Sequence, residues 1–304
     1  MNRDALGDRM KAYENVHRIY LTRRMPLIIR IDGKAFHSYT RNFTQPYDNV
    51  LISSMQQTAK YLCENIEGCK LAYTQSDEIS LLLTDYKTFN TQPWFSKNLQ
   101  KMVSVAASMA TMAFNQAFTD ATFDAANYAY NDELHNTTED RQKAYAEVMN
   151  RYKAKCGMAM FDARAFLLPK EEVCNYFIWR QQDASRNSIN MLGRAYFSHK
   201  EMNDKNTSQI QDMLIEKYGI NWNDIETHKK RGSCVIKETY ETKVPMTKVR
   251  PKKDSPENWQ DIEFIPIAPE LDVPTIQRSR WIVDMEIPIF TKDREYIDKY
   301  VRGG

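Results

Sequence analysis

The chain has 304 residues and carries 42 Lys and Arg against 40 Asp and Glu, a formal net charge of +2. At 42% hydrophobic and 27% charged residues, it excludes a disordered chain as the default, and its near-balance of charge excludes a globally basic nucleic-acid binder. No run of about 18 apolar residues is present to span a bilayer, and the first 26 residues hold no apolar stretch of signal-peptide length. The expectation is a soluble, cytoplasmic protein with no membrane partner. Basic charge is local, in "KKR" at 229–231, "KVRPKK" at 248–253 and "RSR" at 278–280. Cys63, Cys69, Cys156, Cys174 and Cys234 show no Cys-x-x-Cys spacing and no nearby His in a ligand pattern, so they are read as reduced packing residues rather than a zinc site.

In chain order, "PLIIRIDG" (26–33) is a β-branched run closed by Asp and Gly, which predicts a buried strand and a tight turn. Asp48 then precedes an amphipathic helix carrying Leu51, Met55, Ala59, Leu62 and Ile66 and stopped by Gly68. "LAYTQSDEISLLL" (71–83) reads as a hairpin with a polar break between two apolar strands. A Met-rich helix is expected from about Ser96 to Phe118. The polar stretch 124–156 reads as an excursion from the core with one helix in "RQKAYAEVMNRYKAK". A strand in 157–169, a long helix over 170–198 and a strand in "SCVIK" follow. This β, α, β-β, α, β, α order predicts an α/β protein with a sheet backed by helices. From Pro245 onward seven prolines interrupt the chain, so 1–244 is expected to be the folded domain and 245–304 an appended, extended region.

Asp32 closes the first strand and Asp77 lies in the hairpin break. Magnesium takes one or two protein carboxylates plus phosphate oxygens, and two ions about 3.5–4 Å apart clamp the oxygens of a phosphoryl transfer. Gly33 would let the backbone approach a triphosphate and offer its carbonyl. Asp-Gly is also an ordinary turn pair, so these residues alone leave both readings open. The same holds for Ser76 as phosphate donor or turn hydroxyl, and for His37 as triphosphate contact or hydrogen-bonded polar residue. It holds too for the polar band Arg180, Gln181, Asp183, Arg186, Asn187 and Ser188, as solvated helix face or nucleotide site. Lys230 and Arg231 are phosphate contacts or a solvated turn.

Taken together, "RIDGKAFHSYTRNF", "YTQSDEIS", "FDARAFLLP", "WRQQDASRNSI" and "KKRG" occur in an order that resembles the tRNA(His) guanylyltransferase superfamily. The form of the fourth motif and the leading "LGDRMKAYE" look most like its Thg1-like branch, the 3′-to-5′ polymerases, over about residues 4–240. The resemblance implies a polymerase-like palm with a mostly antiparallel, ferredoxin-like sheet backed by helices. It implies a nucleotidyltransferase that adds nucleotides to the 5′ end of tRNA. Two Mg2+ ions would be held by Asp32, Asp77 and the Gly33 backbone, with Glu78 as a further catalytic acid. Lys34, Ala35, Phe36, His37 and Ser76 would bind the nucleotide, and Arg180, Gln181, Asp183, Arg186, Asn187, Ser188, Lys230 and Arg231 would meet phosphate or RNA. GTP and other nucleoside triphosphates would be substrates, ATP would activate the 5′ end, and the assembly would be a homotetramer.

Two departures shape the expected activity. Where members dedicated to tRNA(His) carry "HINN" after "WRQAD", this chain has "SRNS", Ser185–Ser188. Gln45 takes the place of a basic residue ahead of Pro46 and Asp48. The expectation is therefore templated repair of 5′-truncated tRNA, acting most readily on a 5′-triphosphate. The alternatives are dedicated guanosine addition, a noncatalytic RNA-binding protein that keeps the fold, and an enzyme acting on free nucleotides.

Overall fold

The computed structural model describes residues 4–132, 134–243 and 275–303. Its strands are β1 (Leu27–Gly33), β2 (Cys69–Gln75), β3 (Glu78–Leu83), β4 (Phe161–Leu167), β5 (Ser233–Lys243) and β6 (Thr275–Asp284). The helices are α1 (Ala5–Asn15), α2 (Phe36–Tyr39), α3 (Asn49–Asn65), α4 (Leu99–Asn131), α5 (Thr138–Tyr152), α6 (Lys170–Tyr196), α7 (His199–Met202), α8 (Thr207–Tyr218), α9 (Thr227–Arg231) and α10 (Glu295–Arg302). The sheet runs β4-β1-β3-β2-β5-β6, and β1 pairs antiparallel with both β3 and β4. The first four strands with α3 and α4 therefore make the β-α-β-β-α-β unit of ferredoxin-like folds, as expected.

Side chains of β1 alternate between two cores. Leu27, Ile29 and Ile31 join Met55, Leu62, Met102, Phe114 and Phe118 of α3 and α4, whereas Ile28 joins Val173, Phe177 and Phe290 on the other face. With both faces covered, every residue of β3 is buried, which is why "EISLLL" reads as a continuous run rather than an alternating one. A third cluster, Ile189, Leu192, Phe197, Ile210 and Leu214, joins the end of α6 to α8.

The structure corrects the sequence in two places. The expected excursion at 124–156 belongs to the core: α4 does not stop near Phe118 but continues to Asn131, because Thr122 and Ala126 keep its inner face small and buried. Helix α5 returns so that the Tyr152 ring lies 5.1 Å from Phe43 and 5.9 Å from Phe118. The Tyr152 hydroxyl donates to Asp48 at 2.6 Å, the carboxylate that also caps α3 by accepting from the Leu51 amide at 2.9 Å.

The second correction concerns 245–304, which was expected as one appended region. Contacts divide the chain into a unit of Met1–Ile236 with Trp281–Gly304 and a unit of Lys237–Arg280. Ile287, Phe290, Ile297 and Val301 are buried in the second core, and the Tyr86 hydroxyl donates to the Val301 carbonyl at 2.7 Å. Pro288 does not break this segment from the fold, since its carbonyl accepts from Gln181. In the smaller unit, Arg280 pairs with Glu238 at 2.8 Å and lies over the Tyr240 ring. "KVRPKK" falls outside the described residues.

Candidate active site

Strand order places the two acids. β1 and β3 are neighbours at the centre of the sheet, with Asp32 opposite Glu78, and Gln75 opposite Glu78 leaves Ser76 and Asp77 as a two-residue turn. The Gly33 amide donates to the Asp77 carbonyl at 3.1 Å, fastening that turn to the end of β1. Ser76 takes a φ of 51°, and its hydroxyl donates to the Asp77 carboxylate at 3.1 Å. Burial, and then the charge of Asp32, pushes the Asp77 carboxyl above its ordinary value.

Among the described residues neither Asp32 nor Asp77 is paired with a basic side chain. Nor does any group of three or more metal-ligating His, Cys, Asp or Glu side chains gather there. Two carboxylates whose charges repel and that have no basic partner among the described residues could serve a hard cation that completes its shell with water and phosphate.

The loop after β1 offers backbone more than side chains. Lys34 and His37 are exposed, Phe36 is buried, and the Phe36 ring packs 5.1 Å from Phe161 and 5.5 Å from Phe114. Phe36 is thus a core residue rather than a nucleotide contact through its side chain. Gly33 is explained by the same packing: a Cβ there would sit 2.2 Å from the Phe36 ring. Ala35 takes a φ of 56°, and the amides of Ala35, Phe36 and His37 meet no protein acceptor among the described residues.

The remaining expected contacts divide. Glu78 is not an open catalytic acid: it accepts from Arg180 Nε and Nη2, each at 2.7 Å, with both side chains 8% exposed. Burial pushes the Glu78 carboxyl up, against the opposing pull of Arg180. Arg180, also bonded to Asp183 at 3.1 Å, is therefore spent on the fold rather than on phosphate. Gln181 is likewise a strut, donating to the Pro288 carbonyl at 2.8 Å and accepting from the Phe290 amide at 2.9 Å. Asp183 is bonded to Arg186, whose side chain stays half exposed. Ser188 is buried between the Tyr47 hydroxyl at 2.8 Å and the Trp222 indole at 3.0 Å. The Lys230 ammonium donates to the Asn223 carbonyl, and the Arg231 Nε is buried with no acceptor among the described residues.

Beside the turn lies a small cavity of about 80 Å³ whose lining includes Tyr47, Ser76, Asn187, Ser188, His228 and Lys229. It joins the turn, α6 and the basic α9 in one recess, and burial holds the His228 imidazole below its usual value. Tyr47 and His228 were not singled out from the sequence, and Lys229 only as the first residue of the basic "KKR". The available signal was the position of His228 directly ahead of the "KKRG" stretch.

The family model described as "Thg1: tRNAHis guanylyltransferase" matches residues 7–169, which include both acids and the turn between β2 and β3. The chain belongs to the tRNA(His) guanylyltransferase family. A bacterial Thg1-like protein of this family, solved in complex with ATP, is 42% identical, with 98% of this chain and 99% of that chain covered and a TM-score of 0.71. The structure described as a bacterial Thg1-like protein in complex with GTP matches at 42% identity, with the same coverage and a TM-score of 0.67. Among curated relatives, the tRNA(His) guanylyltransferase of Debaryomyces hansenii is 27% identical over 225 residues, 70% of this chain and 73% of its own. Membership makes the chain a nucleotidyltransferase of tRNA, and the α/β fold built on an antiparallel sheet is that of the family's solved members.

Proposed function

We propose that this family member is a magnesium-dependent 3′-to-5′ polymerase that repairs 5′-truncated tRNA by templated addition. The observation that carries the reading is the uncompensated pair Asp32 and Asp77, joined through the Gly33–Asp77 backbone bond at the centre of the sheet. Asp32, Asp77 and the Gly33 carbonyl would hold the ions. Magnesium bound there supplies positive charge that lowers the pKa of an attacking hydroxyl and neutralises phosphate oxygens.

The chain's own groups bind and orient. The free amides of Ala35, Phe36 and His37 face the needs of a triphosphate, with exposed Lys34 and His37 beside them and the Ser76 hydroxyl at the turn. GTP and other nucleoside triphosphates are the substrates, and ATP activates a monophosphorylated end. The recess holding Asn187, His228 and Lys229, with half-exposed Arg186 at its approach, suits the 5′ end of the RNA. "SRNS" leaves no histidine on α6 and favours selection of the nucleotide by pairing with the 3′ strand. A homotetramer working in the cytoplasm completes the reading.

The test is extension of a 5′-triphosphorylated tRNA lacking its first nucleotide, with all four nucleoside triphosphates and magnesium. Wild type adds the complementary nucleotide, and Asp32→Asn and Asp77→Asn add none while still binding tRNA. Guanosine addition irrespective of the template would replace repair with dedicated guanylylation, and equal extension by the two variants would remove the carboxylate pair from the chemistry.

A further inference from the structure

Two thiols stand outside the nucleotidyl-transfer site and at the opposite end of β2 from Asp77. Cys63 lies in the last turns of α3 and is 3% exposed. Cys69 is the first residue of β2 and is partly open to solvent. The chain reverses between them through Gly68, and the Cys69 thiol donates to Cys63 with an Sγ–Sγ distance of 3.6 Å. A disulfide needs about 2 Å, so bond formation asks only for a short approach. The ladder between β2 and β3 shifts register between Cys69 and Leu71, which places that approach at an irregular strand start rather than inside a regular pair of strands.

We propose that Cys63 and Cys69 form an oxidisable dithiol, a modification site that a peroxide converts into a disulfide and a small thiol reductant restores. Cys69, the more accessible thiol, attacks the peroxide as thiolate. Its sulfur bonds to one oxygen, the O–O bond breaks, and water leaves after protonation, giving a sulfenic acid on Cys69. Cys63 then attacks the Cys69 sulfur. The S–S bond forms, the S–O bond breaks, and the hydroxide takes up the Cys63 proton as a second water. In sum, two thiols are oxidised and one hydrogen peroxide is reduced to two waters. Burial, followed by the hydrogen bond with Cys69, pushes the Cys63 thiol well above its usual value, which suits the resolving rather than the attacking role. In a reducing compartment the pair rests as thiols, so the bond forms on oxidative challenge.

The sequence supplies a direct assay. Trypsin cuts after Lys60 and Lys70 and releases both cysteines in one peptide, "YLCENIEGCK". The folded, full-length protein is exposed to hydrogen peroxide, unfolded, alkylated with N-ethylmaleimide and digested. The expected peptide 61–70 is lighter by two hydrogens and carries no alkyl group, and dithiothreitol before alkylation returns it to the doubly alkylated form. In Cys63→Ser, Cys69 should advance to the sulfinic or sulfonic acid for want of a resolving thiol. In Cys69→Ser, Cys63 should remain alkylatable. A doubly alkylated wild-type peptide after peroxide, a link from Cys63 to Cys234, or sulfonic acid on Cys69 with Cys63 still alkylatable would each overturn the proposal.

Discussion

Replacing Arg180 by Met tests whether the acidic turn is built on a buried ion pair. The two bonds to Glu78 are each 2.7 Å long and both side chains are 8% exposed, so the variant strands a carboxylate whose remaining donor is the Ser80 hydroxyl at 3.3 Å. Leaving one charge of a buried pair uncompensated costs about 3–5 kcal/mol, which corresponds to a fall in Tm of roughly 5–8 °C in a chain of this size. Replacing both partners, Glu78→Leu with Arg180→Met, removes the stranded charge, and stability returns to within about 1 kcal/mol of wild type. Urea unfolding followed by tryptophan fluorescence measures all four corners of the cycle, and tRNA affinity is read on the folded proteins at fixed salt. The expected pattern is a large loss in Arg180→Met, recovery in the double variant, and tRNA affinity unchanged throughout. A loss below about 1 kcal/mol combined with weakened tRNA binding would refute the argument and return Arg180 to phosphate recognition.

Asp77 has a folded-state value raised by burial and by Asp32, so the folded protein holds that proton more tightly than the unfolded chain. The stability this provides is complete below the unfolded value of about 3.9 and is lost as pH rises through the raised folded value. Asp77→Asn should therefore melt above wild type at neutral pH, the gap should close in acid, and magnesium should raise the Tm of wild type but not of the variant; a gap independent of pH would contradict this. Gly33→Ala drives a methyl group into the Phe36 ring and should cost about 1–3 kcal/mol in thermal melts, with part recovered in Gly33→Ala/Phe36→Leu. Tyr152→Phe deletes the bond to the Asp48 carboxylate and should cost about 1.5–3 kcal/mol in urea unfolding, whereas no measurable loss would detach α5 from the core.

Much of the frame is local information. The run "LIIRI", the two-residue break in "TQSDEIS" and the Asp48 cap each follow from side-chain period or backbone chemistry within a few residues, and β1, the hairpin and α3 form where those signals lie. Asp32 and Asp77 were legible for the same reason: each stands at the end of an apolar run, where a strand must stop. The polar band on α6 was not separable by such means. Arg180 and Gln181 look as solvent-ready in sequence as Arg186, yet the first finds Glu78 across 102 positions and the second finds Phe290 across 109.

By itself, then, the sequence determined where β1, the β2–β3 hairpin and α3 begin and which acids end a strand, because propensity, capping and apolar period act over one or two turns. The tertiary structure decided which polar groups are spent inside the molecule and which remain open to a substrate. It drew the helical stretch before Tyr152 into the aromatic core and returned Ile287, Phe290, Ile297 and Val301 to the second face of the sheet. The physical reason is that a buried charge or amide is tolerable only beside its partner, and that partner is supplied by chain far away in sequence.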